Sequence, residues 1–275
     1  MSRTHFFIPD TQVKPGVPLD HLDWIGQYIV DRKPDVIVHA GDHYDLPSMS
    51  AWDRGKTTAK FEGRRYRADV QAGHEGLVRL EAAMDAHNAK VTGYKNAPYR
   101  PEKHVTWGNH ENRITRYVEK AGELEGLVGV FEFDEFWQAR GWQTHEYREI
   151  VPIDGVWYSH FFYNPNTGNP YTGMGETRLK NVGHSFTQGH LQTLIHSIRY
   201  IGDQQQHGLV AGSCYLHNED YKGPQGNDHW RGIIVKHEVA GGSYDPMFVS
   251  LKYLCRRYEQ MDLDDFMQKK YRMAA

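Results

Sequence analysis

Short apolar runs that end at glycine or at a polar side chain recur along the chain. The clearest is VIVHA at 36–40, which is followed by Gly41 and Asp42. A run that is apolar at successive positions is typical of a parallel strand buried on both faces. The same order recurs at 5–8 before Asp10, at 104–107 before Asn109 and at 185–188 before His190. The pattern predicts an α/β fold with four strand ends at one rim, where open α/β sheets bind ligands.

A helical pattern connects the first two of these strands. An apolar stripe at helical spacing lies between Asp20, which is a candidate N-cap, and Pro34. Strand, helix and strand in this order predict a βαβ unit with parallel strands. Asp10 and Asp42 would then lie at the same edge of neighbouring strands, as a shared metal centre requires.

The segment 46–103 is longer than a simple crossover needs, and we interpret it as a helical cap insertion with one long helix at about 62–89. Basic residues with interleaved aromatics lie near the start of this helix. They are either a surface for substrate phosphates or a solvated helix face. The arginines that we expect to contact substrate are Arg64, Arg65 and Arg67.

The second half of the chain is less regular. The aromatic-rich stretch 131–142 predicts a helix that ends near Gly141, and 164–170 is rich in turn residues and predicts a loop beside the site. Short apolar runs at 209–211, 233–235 and 247–251 predict antiparallel strands. With 275 residues and no repeat, we expect a single domain over 1–275.

Composition restricts the cellular location of the protein more than its function. The formal charge of −3 excludes a global basic field, so contact with nucleic acid would need a local patch. Cys214 and Cys255 cannot form a disulfide framework, and no apolar run reaches the ~18 residues of a membrane span. We therefore expect a cytoplasmic protein without a membrane partner.

Taken in order, the strand-end blocks resemble the calcineurin-like metallophosphoesterases over residues 10–192. The resemblance implies a four-layer αββα sandwich, with two mixed sheets flanked by helices. It also implies that the strands at 209–211, 233–235 and 247–251 close the second sheet. Gln12 and Gln192 stand where that family usually has histidine. The matching blocks are Asp10-Thr11-Gln12, Gly41-Asp42-His43-Tyr44-Asp45, Gly108-Asn109-His110-Glu111, His160, and Gly189-His190-Leu191-Gln192.

The resemblance also implies two divalent metal ions that share Asp42. The first would take Asp10, Gln12, Asp42 and Gln192, and the second would take Asp42, Asn109, His160 and His190. For the lone histidine, His145 and His184 are alternatives to His160, which is favoured because it follows an apolar strand. Oxygen donors favour Mn²⁺ or Mg²⁺, and imidazoles also suit Zn²⁺ and Fe, with Mn²⁺ the best overall match.

The activity implied is hydrolysis of a phosphoester through attack by a metal-bridged hydroxide. His110 would protonate the leaving oxygen, and Asp45 would pair with His110. A phosphodiester of DNA, RNA or a nucleotide is the expected substrate. The alternatives are a phosphomonoesterase or protein phosphatase, and a metal-binding interaction module without activity. The segment 52–56 also resembles phosphoesterases of tailed phages, which would place the protein in the host cytoplasm.

Overall fold

A computed structural model describes residues 2–50, 64–92, 97–219 and 226–272. Its strands are β1 (Arg3–Ile8), β2 (Val36–His39), β3 (Glu102–Thr106), β4 (Gln143–His145), β5 (Val151–Ile153), β6 (Val156–Tyr158), β7 (Phe186–Gln188), β8 (Leu194–Ile201), β9 (Gln204–Ala211), β10 (Gly232–Ala240) and β11 (Ser243–Ser250). Its α-helices are α1 (Asp20–Arg32), α2 (Tyr66–Ala89), α3 (Asn112–Val118), α4 (Phe131–Gln138), α5 (Gly175–Val182), α6 (Leu251–Glu259) and α7 (Leu263–Tyr271). Two 3-10 turns cover Pro47–Met49 and Gly122–Leu124.

The first sheet has six strands in the order β11-β10-β1-β2-β3-β4. β1, β2, β3 and β4 pair in parallel, and the β1–β2 register places Phe6 opposite Ile37. The predicted βαβ unit is thus confirmed, and the loops that carry Asp10 and Asp42 leave neighbouring strands at the same edge.

The second sheet has five strands in the order β5-β6-β7-β9-β8. β6, β7 and β9 are parallel neighbours, whereas β5 and β8 pair antiparallel at the two edges. His160 follows β6 and His190 follows β7. The second sheet therefore also delivers histidines from the carboxyl ends of parallel strands.

The last two strands do not close the second sheet as the sequence suggested. β10 pairs antiparallel with β1, and β11 pairs antiparallel with β10, so both extend the first sheet. Their apolar runs do predict strands, but a short apolar run does not show which sheet the strand will join. The prediction that they complete the second sheet was wrong.

Alternating residues of β1 separate two cores. Phe6 and Ile8 pack with the helices on the outer face of the first sheet, while Phe7 packs between the two sheets. On the far side, α5 covers the second sheet, where Leu179 contacts Phe186. The chain is therefore an α/β protein with two mixed sheets and helices outside both, an arrangement compatible with the predicted sandwich.

Helix α2 packs against α1 in the outer helical layer. The contact is close: a Cβ built at Gly26 would lie 2.4 Å from the carbonyl oxygen of Leu80, so only glycine fits there. Since α2 connects the parallel strands β2 and β3, it acts as their crossover helix. This part of the predicted cap insertion 46–103 belongs to the flanking layer, and residues 51–63 and 93–96 of that insertion lie outside the described residues.

The predicted N-cap of α1 was wrong by one residue. Leu19 occupies the cap position, and Asp20 is the first helical residue. The Asp20 carboxylate instead accepts hydrogen bonds from Lys270 and Tyr271 of α7. A tertiary contact with the last helix has replaced the local capping bond. Among the described residues, no helix combines the length and apolarity needed to cross a bilayer.

A buried lysine lies between the two sheets. Lys236 of β10 is 0% exposed, and its Nζ donates to Tyr158 Oη at 3.1 Å and to Thr187 Oγ1. The amine also lies 4.4 Å and 4.6 Å from the ring centres of Tyr158 and Tyr244. Burial holds the pKa of Lys236 well below its ordinary value.

We expect this lysine to make stability depend on pH, and Lys236→Met to remove that dependence. The unfolded chain keeps the lysine proton up to a pKa of about 10.4, whereas the folded protein releases it at lower pH. Wild-type stability therefore rises relative to the variant toward pH ~10, by at most about 1.4 kcal/mol per pH unit. Urea unfolding between pH ~7 and ~10 measures this, and a constant difference would contradict it.

Candidate metal centre

Side chains from both sheets meet at the rim of the first sheet. Asn109 Oδ1 lies 2.7 Å from His190 Nδ1 and 3.0 Å from His160 Nε2. His160 Nε2 also lies 3.4 Å from Asp42 Oδ2, and ligand atoms of Asp42, His160 and His190 all lie within 4.8 Å of one another. One carboxylate, one amide oxygen and two imidazoles can hold a divalent transition metal. These are the four ligands predicted for the second metal.

The backbone at this rim is unusual. Four of the seven predicted ligands have a left-handed backbone although none is glycine. Such conformations cost about 1–3 kcal/mol each and cluster at functional sites, where the surrounding structure fixes them. The four residues are Gln12 (φ 41°), Asp42 (φ 46°), His190 (φ 65°) and Gln192 (φ 56°).

The buried ionisable groups at the rim shift one another's pKa values. Burial, reinforced by the neighbouring Asp42, raises the pKa of Asp10 to about 7. Burial also acts to raise the pKa of Asp42, but His110 and His160 outweigh it and hold the pKa well below its usual range. The Asp42 charge in turn raises the pKa of His160 to about 9 against the effect of burial. A divalent ion would supply the positive charge that protons supply here.

The residues predicted for the first metal lie next to this cluster. Both Asp10 carboxylate oxygens accept from the His190 backbone N–H at 3.1 Å, and Gly189 leaves the space that Asp10 Oδ1 occupies. The Gln12 amide is fully buried, and neither its oxygen nor its nitrogen has a hydrogen-bond partner. The Gln192 oxygen accepts from Tyr215 Oη at 2.8 Å. The unpartnered Gln12 amide is suited to be a metal ligand, whereas the Gln192 oxygen already accepts a hydrogen bond from Tyr215.

This difference leads to a prediction about metal affinity. We expect the second site, with two imidazoles, to bind Mn²⁺ more tightly than the first, which relies on carboxylate and amide oxygens. The double variant Gln12→His, Gln192→His should tighten the weaker step. Calorimetric titration with Mn²⁺ measures both steps. Two equally tight steps in the unmodified protein, unchanged in the double variant, would show that the glutamines are not ligands.

His110 and Asp45 form a pair beside the four-ligand cluster. His110 Nδ1 lies 2.7 Å from Asp45 Oδ1, and its Nε2 lies 3.7 Å from Asp42 Oδ2. Burial acts to lower the pKa of His110, but Asp42 and Asp45 outweigh it, so the pKa lies above the ordinary value. The ring is therefore oriented by one carboxylate, with its other nitrogen facing the cluster.

Arg113, which the sequence analysis did not single out, joins this pair. Its Nη1 donates to the Asp45 carbonyl oxygen at 2.5 Å, and its Nη2 lies 3.0 Å from His110 Nε2. On the other side of the carboxylate, Lys14 Nζ lies 2.9 Å from Asp45 Oδ2 and 2.7 Å from Glu219 Oε1. The signal for Arg113 was its spacing of three residues from His110, which places both on one side of a helical turn.

Glu111 ties the two central loops together. Its Oε2 accepts from the backbone N–H groups of Asp42 and Gly108, and its Oε1 accepts from that of Tyr44, each at 2.9 Å. The side chain is 0% exposed. Glu111 therefore fixes the backbone on which Asp42 and Asn109 are mounted.

The other residues predicted from the sequence are the arginine group and the two alternative histidines. Arg64 Nη1 donates to the Pro47 carbonyl at 3.3 Å, so the start of the arginine group lies beside the turn after Asp45, and contact of Arg64, Arg65 and Arg67 with substrate stays a prediction. His145 pairs with His104 at 2.9 Å, and His184 stacks on Trp157 with ring centres 3.8 Å apart. Of the three histidines considered for the lone position, His160 is the one within the cluster.

Comparisons with known proteins give one distant similarity. No protein-family profile matches the chain. The chain is 28% identical over 160 residues to the Gene 54 proteins of Mycobacterium phage D29 and Mycobacterium phage L5. The match covers 58% of this chain and 56% of each relative, so the chain spans about half the length of the curated relatives it matches. The similarity is compatible with an origin in a phage.

Proposed function

We propose that the protein is a metal-dependent phosphoesterase of the calcineurin-like type that hydrolyses phosphodiesters. The observation that carries the proposal is the cluster of Asp42, Asn109, His160 and His190 with a buried, carboxylate-paired histidine beside it. Ligation of a metal alone does not need a proton donor next to the ligands. Hydrolysis of a phosphoester does need such a donor, because the leaving oxygen must be protonated.

The proposal assigns two divalent ions, with Asp42 as a member of both ligand sets. When bound, such ions neutralise the phosphoryl oxygens and supply a nucleophile at neutral pH. Asp10 and Gln12 would hold the first ion, and the four-ligand cluster would hold the second. The buried Gln12 amide and the Asp10–Asp42 carboxylates are the features that most need such a partner.

The chain's own contribution is to place a proton and a positive charge. Asp45 holds His110 through Nδ1, so Nε2 points at the cluster. When the ring is neutral, Arg113 donates to Nε2, and when the ring is protonated its Nε2–H is available to the leaving oxygen. The guanidinium of Arg113 then offers its charge to the phosphoryl group.

A second candidate is a metal-binding module without activity. The observation in its favour is Gln192, whose oxygen is taken by Tyr215 and which would leave the first site short of a ligand. A module that only binds would have no need of the His110–Asp45–Arg113 arrangement. We therefore favour the enzyme, acting on DNA, RNA or a nucleotide, in the host cytoplasm if a phage encodes it.

Turnover of bis(p-nitrophenyl) phosphate with added Mn²⁺ tests the proposal directly. We expect hydrolysis that EDTA abolishes and that excess Mn²⁺ restores, with slower hydrolysis of p-nitrophenyl phosphate. Calorimetry on the same sample shows whether Mn²⁺ binds. Tight binding of Mn²⁺ without turnover of either ester would favour the binding module.

A further inference from the structure

An aromatic cavity opens next to the candidate metal centre. It measures about 210 Å³ and lies between the loop after β6 and helix α5. This is below the ~300–1,000 Å³ of pockets that enclose a drug-sized ligand, so it suits a single ring system. Its lining includes Trp157, Phe161, Phe162, Tyr163, Tyr171 and Asn181.

Phe161 connects the cavity to the centre. Its ring lines the cavity and also lies with its centre 4.8 Å from that of the ligand His190. It directly follows His160 in the chain, so the strand end that carries the ligand also carries the cavity wall. The cavity and the candidate centre therefore share Phe161 as a common wall.

A cationic platform borders the same loop. The Arg148 guanidinium lies 5.0 Å from the ring centre of Tyr163, 5.1 Å from that of Tyr147 and 5.7 Å from that of Phe161. Its Nη2 donates to the Gly168 carbonyl at 3.3 Å. Rings and guanidinium together combine a stacking surface with a positive charge.

We propose that this cavity, the ring subsite, binds a nucleobase attached to the phosphate being cleaved. The inference rests on the proposed phosphodiesterase function and assigns the subsite that holds the base of its substrate. Aromatic rings and arginine planes are the groups on which proteins stack unpaired bases. Asn181 at the wall offers an amide to a base edge. Arg148, which lies over the ring of Tyr163 outside the lining, offers its charge to a neighbouring phosphate. A lipid chain would need a longer groove than this volume provides.

The test compares two diesters that differ by a nucleoside. One is the p-nitrophenyl ester of thymidine 5′-monophosphate, and the other is methyl p-nitrophenyl phosphate. Tyr163→Ala should lower kcat/KM about tenfold on the thymidine ester, because a stacking ring is lost, and leave the methyl ester unchanged. Tyr163→Trp should restore the rate. Tyr200→Ala, which removes an exposed tyrosine of β8, is the matched control.

Binding without turnover separates this inference from the proposed function. Calorimetry with thymidine 5′-monophosphate should show a Kd about tenfold weaker in Tyr163→Ala than in the unmodified protein. If the protein cleaves the methyl ester but Tyr163→Ala affects both esters equally or neither, the ring subsite is wrong and the phosphoesterase stands. If neither ester is cleaved but the nucleotide binds through Tyr163, the ring subsite stands and the proposed phosphoesterase activity is wrong. Nucleotide binding that does not depend on Tyr163 would also overturn the subsite.

Discussion

Replacing His110 by alanine is expected to lower turnover of an unactivated phosphodiester by about 10²- to 10⁴-fold while metal remains bound. The imidazole is the proposed proton donor to the leaving oxygen, and none of the predicted ligands is changed. An activated aryl diester, whose leaving group needs no proton, should lose much less. Steady-state kinetics on both substrates, with metal content measured on the same protein, checks the prediction.

His237→Ala is a suitable control for that experiment, because this half-buried histidine of β10 lies in a strand that contributes none of the predicted ligands. Its kinetics should match those of the unmodified protein. If His110→Ala retained full activity on the unactivated diester, another group would have to be the proton donor.

Replacing Glu111 by alanine should lower the free energy of unfolding by about 3 kcal/mol or more. The change leaves three buried N–H groups, those of Asp42, Tyr44 and Gly108, without their acceptor, at roughly 1–3 kcal/mol each. Mn²⁺ affinity should fall as well, because the backbone that mounts Asp42 is released. Urea unfolding and calorimetric titration measure the two effects.

Glu111→Gln sharpens the test because it keeps the shape of the side chain. Its amide oxygen can still accept from Asp42 and Gly108, but its NH₂ group would face the Tyr44 N–H, donor against donor. An intermediate loss of about 1–3 kcal/mol is expected. Glu75→Ala, on the exposed face of α2, should stay within about 0.5 kcal/mol. Equal stability of Glu111→Ala and Glu75→Ala would rule out the positioning role.

The parts of the fold that sequence reasoning predicted are those with a local signal. The run VIVHA before Gly41 gave β2 as a buried parallel strand, and the aromatic stretch from Phe131 gave α4. Strand ends of parallel neighbours share an edge, so the meeting of Asp42 and Asn109 followed from the strand order. His190 followed from the same strand-end pattern, whereas choosing His160 as the lone histidine required the family resemblance.

The parts that were missed depend on contacts between distant segments. Nothing in the apolar run of β10 indicates that its partner is β1. The cap predicted for 46–103 stays a prediction, because α2 packs on α1 in the helical layer while residues 51–63 and 93–96 lie outside the described residues. The role of Glu111 could not be predicted from the sequence. Its carboxylate oxygens accept from backbone N–H groups, which every residue except proline carries, so no side chain marks the contact. Arg148 lies at an exposed turn, where charge patterning gives no signal.

β10 covers the edge of β1 in the first sheet, and a protein truncated before β10 would lack this cover. A protein ending after β9 would lose β10 and β11 and leave β1 as an edge strand, with a row of unpaired N–H and C=O groups. Such an edge recruits strands from other molecules and leads to aggregation. Asp10 follows β1 directly, so the edge would also border the ligands. Insolubility of a truncated protein would therefore report the exposed strand edge and the core residues lost with α6 and α7, rather than a change in the predicted ligands.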